Sequence, residues 1–348
     1  MQQAWDRTIQ LLFRNTSMAR WLGMAFCVWI SIIGLQEPNL IAEGLLRQIQ
    51  PDPVTLKSRA EADSALKEGR VQFVLTIPAD FSRLLLRGEQ PVLLLEADAT
   101  DPAATSGALA AMREVVSQVL ARDLPASAGY VPTPLPVNLR VHAEYNPEAV
   151  TQYNIVPGLM GVILTLTLTM ITSLAITRER ERGTMENLLS TPVRPLEVMV
   201  GKIIPYILVG YIQMVLIVLA AKFLFGVPLL GSVLAVFVLS LVFIAANLSV
   251  GVTLSTVAKN QLQAVQMSVF FFLPSLLLSG FMFPFRGMPG WAQAVGSLLP
   301  LTHYLRLVRG ILLKGNGTLE SLTHVWPIAL FLVVVISVGM RRYRKTLD

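Results

Sequence analysis

Four stretches of this chain, residues 155–177, 203–221, 227–258 and 262–285, carry no charged side chain. Each is close to or beyond the roughly 20 apolar residues that a helix needs to cross a bilayer. In hydrocarbon only helices and closed barrels satisfy their own backbone groups, so stretches of this kind fold as membrane helices. A fifth stretch, 325–340, is shorter and ends at Arg341. Pro205 and Pro274 lie inside apolar runs and predict local kinks. Composition agrees: 14% of residues are charged, against about 25% in soluble domains.

The N-terminal stretch 21–35 is only 15 residues long and is interrupted by Ser31 and Gly34. With Met18 and Ala19 it reads as an uncleaved first span, because no small-x-small cleavage site follows it closely. The competing reading makes 28–35 a strand of the polar region that follows. Six spans place both termini on one side. The segments assigned inward carry 13 Lys/Arg, from Arg7 to Lys345, and the short outer loops carry 5. That bias orients the termini toward the cytoplasm. Residues 36–150 hold 10 Lys/Arg and 15 Asp/Glu, whereas the remainder holds 18 and 7. The basic excess therefore sits beside the spans, which argues for membrane orientation and against a nucleic-acid partner. The single cysteine, Cys27, excludes an intrachain disulfide.

The expected fold is a bundle of about six transmembrane helices with an extracytoplasmic mixed α/β domain between the first and second. The expected division is 1–35 for the N-terminal segment and first span, 36–150 for the outer domain, and 151–348 for five spans with a cytoplasmic segment at 178–202. Within the outer domain, composition and alternation predict a helix over 60–68 that stops at Gly69. They also predict strands over 71–77, 92–96 and 137–145, and a helix over 103–122. Asp98 with Asp101, and Glu144 with Glu148, read as turn caps and solvated faces rather than a catalytic pair. His142, His303 and His324 are scattered, and no catalytic or metal-binding sequence motif occurs. No catalytic residue and no metal ligand is assigned.

The most informative segment runs Arg178-Glu179-Arg180-Glu181-Arg182-Gly183-Thr184-Met185-Glu186-Asn187-Leu188-Leu189-Ser190-Thr191-Pro192. Gly183 and Thr184 can end one helix and cap another. Glu186 then falls in a first turn, where the helix dipole favours a carboxylate. Met185, Leu188 and Leu189 make an apolar face, and Pro192 ends it. The product is a short amphipathic helix on the cytoplasmic surface.

This pattern resembles the cytoplasmic coupling segment of the type-2 permease family of ATP-binding-cassette exporters. Further segments resemble its drug-exporter branch: Ala65-Leu66-Lys67-Glu68-Gly69, Ile77-Pro78-Ala79-Asp80-Phe81, Asp98-Ala99-Thr100-Asp101-Pro102 and Tyr145-Asn146-Pro147. So do Val156-Pro157-Gly158, Leu278-Ser279-Gly280-Phe281 and residues 299–310. The departure is at the start, where residues 30–35 followed by Gln36-Glu37-Pro38 can themselves form the strand that opens the outer domain.

The resemblance implies a permease without an ATPase of its own. A cytoplasmic ATP-binding subunit carries ATP and Mg and receives Glu179, Glu181, Gly183, Thr184, Glu186, Leu188, Leu189 and Pro192. The loop 257–261 is the next candidate for that contact. A second permease copy, as homodimer or related heterodimer, and a periplasmic adaptor are further implied partners, and the setting is the bacterial inner membrane. The residues add one independent argument. Carriers driven by protons or ions place ionisable groups in their spans, and these spans contain none. Their polar groups are Gln213, Asn247 and Gln266, read first as helix–helix hydrogen bonders and second as lining a substrate pathway. Residues 284–317 are expected to form interfacial or re-entrant helices. Export of amphipathic drugs or lipid-like molecules is the leading reading. The alternatives are a permease for a surface glycan or polymer, and a membrane sensor or enzyme that uses the outer domain.

Overall fold

The structure is a computed structural model that describes residues 30–33, 54–56, 58–78, 80–87, 89–102, 105–107, 110, 112–114, 137–183 and 195–345. It divides into two compact units. One comprises Met1–Ala149 with Arg286–Pro289, and the other Val150–Phe285 with Gly290–Asp348.

The first unit is built on a mixed five-stranded sheet, order β2-β1-β3-β4-β5. Its strands are β1 (Ile30–Ile33), β2 (Val54–Leu56), β3 (Phe73–Thr76), β4 (Val92–Asp98) and β5 (Asn138–Glu144). The β3–β4 pair is antiparallel and the others are parallel. Helix α1 (Arg59–Lys67) starts at Ser58, whose side chain accepts from the Glu61 amide. It ends before Gly69, whose φ of +72° is the left-handed geometry that glycine adopts without a Cβ penalty. Ala62, Ala65 and Leu66 of α1 pack with Val71 and Val74, and Tyr145 leans on the same cluster. On the other face Phe73, Leu75, Leu93 and Leu95 are almost fully buried. The short helix α2 (Phe81–Leu86) follows Pro78 and buries Phe81.

One expectation is corrected here. A first span over 18–35 does not hold at Ile30–Ile33, which pair in parallel with Phe73–Thr76 and Val54–Leu56. The sequence Ile-Ser-Ile-Ile is rich in β-branched residues and suits a strand, and the apolar run around it is short for a span. The strand alternative over 28–35 describes these residues. Residues 1–29 lie outside the described residues, and so would any span preceding β1.

The second unit is helical. Its elements are α3 (Thr151–Glu181), α4 (Pro195–Phe223), α5 (Val233–Val257), α6 (Gln261–Leu278), α7 (Gly290–Leu298), α8 (Pro300–Lys314) and α9 (Thr318–Lys345). Among the described residues five helices are long and apolar enough to cross a membrane: Thr151–Glu181, Ile203–Phe223, Val233–Val257, Gln261–Leu278 and Thr318–Arg341. Pro157, Pro205, Pro274 and Pro327 lie inside these helices.

The bundle inverts the pattern of a soluble one. Ile204, Leu208, Ile212, Val215 and Leu219 recur at helical spacing along α4 and are all exposed, as a lipid-facing stripe requires. Small and hydroxylated residues face inward. Thr165, Thr169, Thr172, Ser173 and Thr177 of α3 are fully buried, as are Asn247, Ser249 and Ser255 of α5. Some of the hydroxyls bond back along their helix, Thr165 to the Gly161 carbonyl and Ser249 to that of Ala245, and Thr169 donates across to the Asn247 carbonyl. The two backbones approach closely at Gly251, where a Cβ would lie 2.6 Å from the Thr169 carbonyl oxygen. Such small-residue contacts are how helices associate where apolar burial no longer drives them together.

Candidate coupling site

The polar end of α3 is held by the turn between α5 and α6. The apolar stretch of α3 is long enough to cross the hydrocarbon core, and Arg178–Glu181 project beyond it. Arg182 caps the helix by donating to the Arg178 and Arg180 carbonyls. Gly183 follows at φ +72° with open space around its Cβ position.

Glu181 accepts from the Gln261 backbone amide at 2.8 Å and from the Gln261 side-chain amide. These bonds, the side-chain one foremost, hold the Glu181 carboxyl below its usual range, so it is ionised at neutral pH. Gln261 is the first residue of α6, so the carboxylate also sits where the helix dipole is positive. Arg180 donates to the Ala258 carbonyl, the C-cap of α5, at 3.3 Å. The turn itself is tied down. Asn260 caps α6 by accepting from the Gln263 amide, and Gln263 accepts in return from the Lys259 amide, each at 2.8 Å.

Of the residues expected to meet an ATPase, Glu179, Glu181 and Gly183 stand at this corner. Thr184, Glu186, Leu188, Leu189 and Pro192 lie outside the described residues. The structure joins the two segments read separately from sequence, 178–183 and 257–261, through Glu181 and Gln261. No spacing rule links residues 80 positions apart.

The three pathway candidates lie on three different helices. Gln213 on α4 is half-buried and accepts from Thr167 of α3 at 2.9 Å. Asn247 is fully buried in α5 and donates to the Phe243 carbonyl of its own helix, leaving its Oδ1 without a partner. Gln266 is exposed on α6.

At the opposite end of α3 the chain folds α7 and α8 into the bundle. At 15 residues α8 is about 22 Å long, too short to span, yet Leu301, Thr302, Tyr304, Leu305, Leu307, Val308 and Ile311–Leu313 are buried. The Tyr304 ring stacks on Phe243 with centroids 3.8 Å apart, and its hydroxyl shares a 2.8 Å hydrogen bond with Ser240. Gly161 makes room for it, since a Cβ there would lie 2.9 Å from the Tyr304 ring. Three segments quoted for the family resemblance meet here. A Cβ on Gly158 would lie 2.7 Å from the Phe281 ring and 3.2 Å from Arg309, and Arg309 donates to the Gly280 carbonyl at 3.4 Å. Arg306 lies over the Phe285 ring at 4.6 Å. Sequence reasoning missed Tyr304 and Gly161 as packing determinants. The helical recurrence of Thr and Ser through 165–177 was the available signal for the buried face of α3.

Comparison with known proteins bears on the same residues. A family profile described as "ABC-2 family transporter protein" matches residues 39–341. The chain is 30% identical over 300 residues to "Probable multidrug ABC transporter permease YbhS" of Escherichia coli (strain K12), covering 85% of this chain and 79% of that protein. It is 28% identical over 289 residues to "Probable multidrug ABC transporter permease YbhR" of the same strain, covering 83% and 76%. It is 31% identical over 307 residues to "Inner membrane transport permease YhhJ", again of that strain, covering 85% and 79%. No solved structure matches the chain.

Proposed function

We propose, from the premise that this chain belongs to the ABC-2 family of transporter proteins, that it is the permease subunit of an ATP-driven exporter moving amphipathic drugs or lipid-like molecules outward. It is a multi-pass inner-membrane protein, in keeping with its five apolar helices and with relatives named as permeases. The observation that carries the finer reading is the likeness, over 85% of the chain, to a protein named as a multidrug permease. Two features of the chain support it. Its apolar stretches contain no ionisable side chain for coupling to protons or ions. Its α3 terminus is locked to the α5–α6 turn through Glu181 and Gln261, a firm mount for the segment that begins at Gly183.

In this reading ATP and Mg are handled by a separate cytoplasmic subunit. The segment from Glu179 to Pro192 docks on it, with Leu188 and Leu189 as the apolar contact. A second permease copy completes the pathway, and a periplasmic adaptor extends it. The termini face the cytoplasm and the α/β unit faces outward. Co-purification with candidate ATP-binding subunits tests the reading. A stable complex that hydrolyses ATP faster with amphipathic drugs supports it. A chain that moves drugs in the absence of any ATPase contradicts it.

A further inference from the structure

The α/β unit carries a cluster of three metal-ligating side chains apart from the coupling site. β4 and β5 run parallel, with Glu96 opposite His142 and Asp98 opposite Glu144. Alternate residues of a strand share a face, so Glu96, His142 and Glu144 emerge on the same side of the sheet. One donor atom of each lies within 4.8 Å of the other two. We propose that Glu96, His142 and Glu144 form a binding site for a divalent transition-metal ion of the zinc class.

The donor set selects the ion. One imidazole and two carboxylates suit zinc, cobalt or manganese, whereas calcium and magnesium take oxygen donors. The reach is right. A tetrahedral zinc with ligands at about 2.0–2.2 Å holds its donors roughly 3.3–3.6 Å apart, so small side-chain rotations close the present spacing. The charge is right as well. Two carboxylates offset the charge of a divalent cation, and the Glu96 side chain is only 6% exposed.

The present compensation is loosely held. Arg59 Nη2 lies 3.2 Å from Glu96 Oε1, on a side chain that is 72% exposed and swings readily into water. His142 Nδ1 lies 3.1 Å from Glu144 Oε1, and it ligates an ion once the imidazole proton sits on Nε2, which leaves the Nδ1 lone pair for the metal. The cluster borders a cavity of about 250 Å³, lined also by Arg59 and Asp63 of α1. That exceeds the roughly 30 Å³ of one water many times over. An ion held by three protein donors therefore has room for a water toward the cavity. Sequence motifs missed the site because Glu96 and His142 are 46 positions apart and only the β4–β5 register joins them. The competing reading is two separate ion pairs, Arg59–Glu96 and His142–Glu144, which bind no metal.

The test is zinc chloride titration of the purified full-length chain in detergent, without a polyhistidine tag, against a chromophoric chelator. With three histidines and one cysteine in the whole chain, background binding is low. The expected result is one zinc per chain, weakened at least tenfold by each of Glu96→Gln, His142→Ala and Glu144→Gln and unaffected by His303→Ala. Glu96 is buried and its variant tests folding as well as binding. His142 and Glu144 are 59% and 36% exposed on the edge strand, so their variants keep the metal-free unfolding temperature and decide the matter. Absence of stoichiometric binding overturns the proposal. So does a loss below tenfold in both His142→Ala and Glu144→Gln, or an equal loss in His303→Ala.

Discussion

Gly251 and Tyr304 set how closely the membrane unit packs. A side chain at Gly251 meets the Thr169 carbonyl, which is backbone and cannot turn aside. Gly251→Val is therefore expected to cost about 1–3 kcal/mol through overpacking, read as a lower unfolding midpoint in detergent. Gly201, also helical but with nothing within 4 Å of its Cβ position, is the control, and Gly201→Ala is expected to leave stability unchanged or slightly raised. Tyr304 joins an apolar contact to a polar one. Tyr304→Phe keeps the Phe243 stack and removes the partner of the Ser240 hydroxyl. The expected loss is about 1 kcal/mol. Adding Ser240→Ala should cost less than the sum of the single changes, because no buried hydroxyl is then left unpaired. A double-mutant cycle on thermal unfolding measures this coupling.

At the scale of elements, the Glu181–Gln261 contact links the end of α3 to the start of α6. Both side chains face water at the polar end of the bundle, so the contact orients the chain rather than stabilising the fold. Glu181→Gln is expected to insert normally and unfold at the wild-type temperature while transporting more slowly. Gln261→Ala should give the same loss, and the two together little more than either. A fully additive double variant would show that the residues act separately. The five long helices were legible because an uncharged stretch of span length has few other stable folds. Strands β3, β4 and β5 were legible from alternation, and α1 from its stop at Gly69. Ile30–Ile33 were legible as strand only as the second of two readings. Their apolar neighbours match a short span equally well, and the choice is made by pairing with Phe73–Thr76, more than 40 positions away. The depth of α8 was not legible, since His303, Arg306 and Arg309 give it an interfacial look. The structure accommodates Arg306 over Phe285 and Arg309 on the Gly280 carbonyl. The Glu181–Gln261 contact and the Glu96–His142–Glu144 cluster share that cause. Each is made by tertiary pairing of residues that no local pattern connects.

At the scale of the whole molecule, the chain is an ABC-2 family permease, proposed to supply the path and to leave the energy to a partner. Its proposed orientation rests on Lys and Arg placement, so a reporter active only in the periplasm, fused after Asp348, is expected to stay silent. The proposed docking rests on the segment after Gly183. Leu188→Asp places a charge on the proposed apolar contact and is expected to abolish ATPase co-purification without harming membrane insertion. Glu320→Lys, near the start of α9, should change little. The most direct measurement is uptake of a fluorescent amphipathic drug into inverted liposomes containing this chain and its ATP-binding subunit. The account predicts uptake that requires ATP hydrolysis and vanishes with Leu188→Asp. Full uptake without ATP, or undiminished ATP-driven uptake by Leu188→Asp, would contradict it.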